Sequence, residues 1–273
     1  MGRVSKTVTV NTKQGRLTVY TNDSDIGKTI YCRRDFELEQ SVKAVEFLRQ
    51  KGMSTTGGTI LDVGANMGVI SIGFVKNNWA RRAIAIEPGP ANFMLLQRNV
   101  RQNGMEARII CLPYAVSNVS GTVDFELNSR NLGDHRVRIR TNEKVPELEF
   151  ESQRPVIEVK SRCLDDVMAE VPGDYRDNLS LIWIDTQGHE GRIFSGGRSA
   201  FSRDIPVMAE ICPYTVMRSG VSKREFQNII EQYWSTYWII RRGRYFPYRI
   251  SLFGMYWDEL GDAGDFENVI FTK

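Results

Sequence analysis

Between residues 59 and 112 the chain alternates short apolar runs with stretches whose apolar positions recur every three to four residues. Thr59–Val63, Arg82–Glu87 and Ala107–Leu112 read as strands, Val69–Val75 and Ala91–Gln102 as helices, the second stopped by Gly104. Such alternation predicts a parallel sheet with helices on both faces. Farther on, Ser180–Asp185 and Pro206–Cys212 supply a fourth and fifth parallel strand. Leu164–Val171 is a short helix, and Val221–Tyr233 gathers Phe226, Ile229 and Ile230 on one helical face.

The flanking segments read differently. Thr7 to Tyr20 alternates around Gln14-Gly15, a β-hairpin signal. Arg34 to Gln50 carries Leu38, Val42, Val45 and Leu48 at helical spacing, with Gly52 just beyond, and Thr55-Thr56-Gly57-Gly58 links it to the strand at Thr59. The division expected is an N-terminal hairpin and helix extension over residues 1–52 and a main domain over 53–273. Thr122–Leu127 and Pro155–Lys160 alternate like strands around the polar, arginine-rich stretch Asn128–Lys144, which composition reads as a solvated loop. Tyr237–Ile240 and Tyr245–Ile250 flank a glycine-bearing basic turn, a second hairpin, and Asn268–Thr272 is a last strand.

Candidate chemistry gathers where these strands end. Leu61-Asp62-Val63-Gly64-Ala65-Asn66-Met67-Gly68 is a strand running through a glycine-punctuated turn into a helix. Glycines let backbone approach a ligand, and the helix start offers free N–H groups. The spacing D-x-G-x-x-x-G is not the G-x-G-x-x-G of dinucleotide binders, and no Gly-Lys-Ser/Thr follows, so a P-loop is excluded. A carboxylate here repels pyrophosphate and suits a cationic ligand such as the amino group of S-adenosylmethionine (SAM). Glu87 tips the next strand, where an acid binds ribose hydroxyls, and Pro88-Gly89-Pro90 turns the chain into a helix. The third element is Leu181-Ile182-Trp183-Ile184-Asp185-Thr186-Gln187-Gly188-His189-Glu190, an apolar strand ending in a polar cluster.

In order and spacing these blocks resemble the FkbM-type family of SAM-dependent methyltransferases, which reads D-V-G-A-N-x-G, then E-P-x-P, then K-I-D with an E-G-x-E or Q-G-x-E ending. The likeness runs from Thr59 to Cys212 and takes in Asn92, Phe93, Leu96, Asn99 and the polar block Asn131–Arg136. Trp183 stands where the family has its lysine, so no role of that lysine carries over. The resemblance implies a Rossmann-like class I methyltransferase sheet and a SAM site at Asp62, Gly64, Ala65, Asn66, Gly68, Glu87, Pro88, Ala115 and Asp185. It implies an acceptor hydroxyl on a sugar, glycan or secondary metabolite, and turns the reading of Asn128–Lys144 towards a flap over the acceptor.

A hydroxyl acceptor needs a base. His135 and His189, the only histidines, are candidates by titration range, and Asp185, Glu190 and Glu210 are rivals that either take the proton or orient a group that does. The plain alternatives are a solvent-facing His189, an exposed His135 and a helix-capping Asp185. No short metal-ligand motif appears, so no metal is expected.

A formal net charge of +3 is too small to argue for nucleic acid. The C-terminal interleaving of Trp234, Tyr237, Trp238, Tyr245, Phe246 and Tyr248 with Arg241, Arg242, Arg244 and Arg249 still keeps RNA as an alternative acceptor, against the plainer reading of core aromatics with a solvated basic turn. A SAM-binding protein with lost catalysis is the third reading. No apolar run reaches membrane-spanning length and Met1 to Arg16 lacks an apolar signal core, so a cytoplasmic protein without membrane partners is expected. Cys32, Cys111, Cys163 and Cys212 are widely spaced, in keeping with free thiols.

Overall fold

Along the chain the strands are β1 Thr7–Thr12, β2 Gly15–Tyr20, β3 Thr59–Val63, β4 Arg82–Ile86, β5 Ile109–Leu112, β6 Ala115–Ser117, β7 Gly121–Glu126, β8 Arg136–Val137, β9 Val156–Cys163, β10 Leu179–Ile184, β11 Val207–Ile211, β12 Thr236–Arg241, β13 Arg244–Arg249 and β14 Glu267–Thr272. The helices are α1 Ile26–Arg33, α2 Leu38–Gln50, α3 Val69–Lys76, α4 Pro90–Gln102, α5 Leu164–Glu170, α6 Gly173–Arg176, α7 Glu190–Ser195, α8 Arg198–Phe201, α9 Pro213–Arg218, α10 Lys223–Glu231 and α11 Phe253–Leu260. These come from a computed structural model that describes residues 6–139, 147–148 and 150–273.

The main sheet has the order β13-β12-β14-β11-β10-β3-β4-β5. Strands β5, β4, β3, β10 and β11 are mutually parallel, while β14 runs antiparallel between β11 and β12. Every residue of β3 is buried, as expected of a central parallel strand covered on both faces. Successive side chains alternate between two cores. Leu61, Val63, Ile182 and Ile184 face one, with Phe194, Phe226 and Phe271. Ile60, Leu181 and Trp183 face the other, with Ile72, Leu96 and Phe47. Each fully buried side chain of this size contributes roughly 1.5–3 kcal/mol.

A second sheet, β6-β9-β7-β8, stands beyond the end of β5. The β1-β2 hairpin docks on α4 through Asn99, whose Oδ1 accepts from Thr18 N at 2.7 Å and whose Nδ2 donates to Thr18 O and Met67 O at 3.2 and 2.9 Å. At the hairpin tip Gln14 exchanges two hydrogen bonds with the backbone of Phe36, at 2.5 and 3.0 Å.

Several boundaries depart from expectation. The strand expected from Ala107 begins at Ile109, because Met105 O takes the amides of Arg108 and Ile109 in a turn. The helix expected from Arg34 begins at Leu38, since Arg34 and Glu37 have φ of 63° and 52° and cannot continue a right-handed helix. Two helices of 8 residues went unforeseen: α1, too short for a clear period, and α11, masked by Gly254. Of the stretch 128–144, residues 140–144 lie outside the described residues. The described part is not a solvated loop: Asp134 and Arg136 are buried, 6% and 8% exposed, and ion-paired to each other.

Candidate active site

The chain leaves β3 for β4 on one side and returns to β10 on the other, so the loops after β3 and β10 part at their carboxyl ends. Ligands of open α/β sheets bind in such a crevice. Pairing of Ile184 with Val63 carries Asp185 alongside Gly64, and Asp185 N donates to Val63 O at 3.0 Å. Gly64 has φ of 87°, and a Cβ there would stand 1.8 Å from the Asp185 carbonyl oxygen. The glycine is required by the neighbouring loop before any ligand is considered. Gly188 has φ of 104°, and a Cβ there would stand 2.3 Å from the Thr215 backbone.

Glu87 joins two loops. Its Oε2 accepts Asn66 N at 2.9 Å and its Oε1 accepts Gly89 N at 2.7 Å. Burial pushes its pKa up to about 7 against these two bonds, which pull it down. Asp62 accepts both Ser71 N and Ser71 Oγ, at 3.0 and 2.6 Å, which ties β3 to α3. Burial raises it to about 7 as well.

Two cavities meet over this edge. The first has about 880 Å³ between atoms, its open mouth included, and is lined by Asp62, Gly64, Ala65, Asn66, Glu87, Pro88, Ala115 and Asp185, all expected there, with His135, His189 and Trp183. The second, of about 1330 Å³ on the same measure, is lined by Asp185, Gln187 and Glu210 among others. Ile26, Phe36, Glu37, Gly133 and Asp185 line both, so the cavities share a boundary. Gln187 Nε2 bridges Asp185 Oδ1 and Glu210 Oε1 at 2.8 and 2.9 Å. Burial is the main cause that raises both carboxyls, and the charge of Asp185 adds to the shift of Glu210.

Other expected residues stand elsewhere. Gly68 is in neither cavity wall; it opens α3 with φ of 89°, where a Cβ would press on Leu96 at 2.7 Å. Glu190 is fully buried and lines neither cavity. Its Oε1 takes the amide and hydroxyl of Thr186 at 3.0 and 2.8 Å, which shapes the turn that presents Asp185.

His189 does not face solvent. It is 2% exposed, its Nε2 lies 2.8 Å from Ser117 Oγ, and burial lowers its pKa to about 3. His135 is half-buried, accepts Asn128 N at its Nδ1 at 2.9 Å, and is lowered by burial to about 4. Imidazoles held neutral so far below their ordinary value are weak bases.

Sequence reasoning missed Glu37, whose carboxyl lines both cavities and is raised by burial to about 8. It sits just ahead of the first apolar helix position, and nothing in the pattern there betrays the left-handed backbone that aims it. Also missed was the buried ion cluster that secures the roof. Arg154 reaches Asp134 and Glu126 at 2.6 and 3.3 Å, Arg138 reaches Glu126 at 2.9 Å, and Tyr214 donates to Glu151 at 2.6 Å. Leu132 O, in this roof, receives Nδ2 of both Asn66 and Asn92, at 3.3 and 2.8 Å.

The Methyltransferase FkbM domain matches residues 62–243, and the chain belongs to this methyltransferase family. The cofactor of the family is SAM. The first cavity fits it: Oδ1 of Asn66 and of Asn92 are buried there without a partner among the described residues, and Asp62 and Glu87 offer carboxylates to a ligand bearing an ammonium and ribose hydroxyls. A methyltransferase FkbM from Methylobacillus flagellatus KT is similar at 16% identity over 79% of this chain and 44% of that one, with a TM-score of 0.46. This chain therefore spans less than half the length of that protein. TYW2 of P. horikoshii, in complex with MeSAdo, is similar at 12% identity over 98% and 70% of the two chains, TM-score 0.48. The M. jannaschii tRNA m1G37 methyltransferase is similar at 12% identity over 100% and 58%, TM-score 0.47. No curated protein matches the chain. No helix among the described residues is long and apolar enough to cross a membrane.

Proposed function

We propose that this chain methylates a hydroxyl oxygen on a sugar, glycan or secondary metabolite held in the second cavity. The observation that carries this reading is the shared boundary: Asp185 lines both cavities, so an acceptor beside it faces the cofactor space directly. SAM supplies an electrophilic methyl on a sulfonium. Asp62 binds its ammonium, Glu87 its ribose, and the Asn66 and Asn92 carboxamides fix the rest of the ligand under the roof at Leu132. Asp185 and Glu210, joined by Gln187, orient the acceptor hydroxyl and take its proton. Catalysis is mostly alignment, since the charge on sulfur disperses as the methyl leaves. Trp183, 2% exposed and edge-on to Phe74 at 5.8 Å, makes an apolar wall where the family has a lysine. A cytoplasmic site of action is part of the proposal, and the four cysteines are free thiols.

The test is calorimetric titration of SAM into the parent and into Glu87→Ala, followed by methyl-label transfer to hydroxyl-bearing acceptors. Binding to the parent, weakened at least about tenfold in the variant, supports the cofactor site. No binding to a folded parent removes the methyltransferase reading. Binding with no transfer to any acceptor favours a SAM-binding protein that has lost catalysis.

RNA is the second reading, and one observation favours it: Arg242, Arg244, Phe246, Tyr248 and Arg249 are exposed around the turn and along the edge strand β13. Trp234 and Tyr237, by contrast, are core residues, 3% and 2% exposed, and Arg241 is spent on Glu259 and Glu267. A salt-dependent gel shift with RNA would support it, and no shift at low salt would end it.

A further inference from the structure

Three residues that line the first cavity keep a buried side-chain atom with no hydrogen-bond partner among the described residues: Asn66 through Oδ1, Asn92 through Oδ1 and His189 through Nδ1. A buried polar atom left unmet is costly, and in a binding cavity it marks where a ligand atom completes the bond. The two asparagines share one end of the cavity. Both donate to Leu132 O, and Asn66 N is bonded to Glu87, the proposed ribose acid. His189 is the acceptor that the cofactor placement has not used.

This residue is held on two sides. Its backbone carbonyl accepts Arg192 N and Ile193 N, at 3.1 Å each, at the start of α7. Its ring meets β6 through Ser117, with Nε2 2.8 Å from Oγ. The Ser117 hydroxyl donates to Asn118 Oδ1 at 3.3 Å, so its oxygen accepts Nε2–H. The ring hydrogen is thereby assigned to Nε2, and Nδ1 carries a bare lone pair. At 2% exposure the ring stays uncharged, its pKa lowered by burial to about 3, so the lone pair is available at neutral pH.

Strand order gives the direction of the ligand. Asp62 lies on β3 and Glu87 just beyond β4, its neighbour in the sheet. A cofactor with its ammonium at the first and its ribose at the second carries its base onward past β5, whose chain continues into Ala115, Val116 and Ser117 of β6. Pro88, Tyr114, Val116 and Phe125 give the cavity an apolar lining suited to a flat base. His189, bonded to Ser117, stands at the same end. SAM has three kinds of hydrogen-bond donor: the ammonium, the ribose hydroxyls and the 6-amino group of adenine. Asp62 and Glu87 take the first two, and the third is the donor left for Nδ1.

We infer that His189 Nδ1 accepts a hydrogen bond from the adenine 6-amino group, which makes His189 the residue that selects an adenine-bearing cofactor. The imidazole moves no proton in this role; it is a fixed acceptor whose orientation Ser117 sets. A purine with hydrogen in place of the 6-amino group fills the same space and leaves Nδ1 unmet. The inference deepens the cofactor assignment and rests on the placement of ammonium and ribose proposed above.

The experiment titrates the full chain by calorimetry at neutral pH with S-adenosylhomocysteine and with its 6-deamino analogue, in which hydrogen replaces the amino group. The parent is expected to bind S-adenosylhomocysteine at least about fivefold tighter than the analogue. His189→Leu is expected to narrow that preference at least about threefold. Should this variant fail to fold, ¹⁵N-histidine labelling of the parent carries the test, with His135→Gln assigning the two rings. The Nδ1 resonance of His189 is expected to move upfield on adding S-adenosylhomocysteine and to stay in place with the analogue. Equal affinity of the parent for the two ligands, a preference kept in full by folded His189→Leu, or an Nδ1 resonance unmoved by bound S-adenosylhomocysteine overturns the inference. Those results leave the cofactor reading intact. Failure of S-adenosylhomocysteine to bind the folded parent removes the methyltransferase reading and this inference with it.

Discussion

A methyl group on Gly64 would lie 1.8 Å from the carbonyl oxygen of Asp185. The first cofactor loop and the loop bearing the proposed acceptor-binding acid are thus in backbone contact. Gly64→Ala combines this collision with a left-handed backbone, and is expected to cost at least ~3 kcal/mol. Urea denaturation measures it. A variant as stable as the parent would show that the two loops part easily.

Asn99 tests the attachment of the hairpin. It is fully buried, and its carboxamide serves Thr18 twice and Met67 once. Asn99→Leu leaves those backbone groups without their partner, at ~1–3 kcal/mol for each buried group so orphaned. Hydrogen exchange is expected to quicken through Gly15–Tyr20 and in the turn at Met67. Unchanged protection there would mean that apolar packing alone holds the hairpin.

His189 is expected to remain neutral across the working range. Burial holds it at about 3, and Nε2 faces Ser117 Oγ at 2.8 Å. Its ring ¹⁵N shifts should stay constant from about pH 5 to pH 8, and Ser117→Ala should destabilise the chain by ~1–3 kcal/mol. A titration of His189 near its ordinary value would restore it as a candidate base.

Stability should pass through a maximum in acidic solution. Glu37, Asp62, Glu87 and Glu190 are raised by burial to about 8, 7, 7 and 7 from ordinary values of 3.8 for Asp and 4.5 for Glu. The native chain holds more protons than the unfolded one in that window, so stability falls as pH rises through it. His135 and His189 are lowered to about 4 and 3 from 6.5, so there the unfolded chain holds more protons and stability falls as pH drops below 6.5. Between these limits the four acids outweigh the two histidines, so the urea midpoint of the cofactor-free chain is expected to peak at roughly pH 4 and to fall from there towards pH 8, with S-adenosylhomocysteine flattening the alkaline limb through its ammonium group. A midpoint that climbs steadily to alkaline pH would contradict the raised acids.

The sequence alone determined the parallel strands and the edge where they end. Thr59–Val63, Arg82–Ile86 and Leu179–Ile184 are largely apolar runs, a pattern forced on strands buried on both faces. Asp62, Glu87 and Asp185 are set by strand register, so local pattern placed them in one site. Tertiary structure decided what those residues do. Gly68 supports α3 against α4, Glu190 builds a turn, and His189 is desolvated against Ser117, because close approach and desolvation depend on segments distant in sequence. Glu37 joined the site for the same reason. A hairpin tip and two left-handed residues carry it to the boundary of both cavities, and hydrophobic periodicity holds no record of that path.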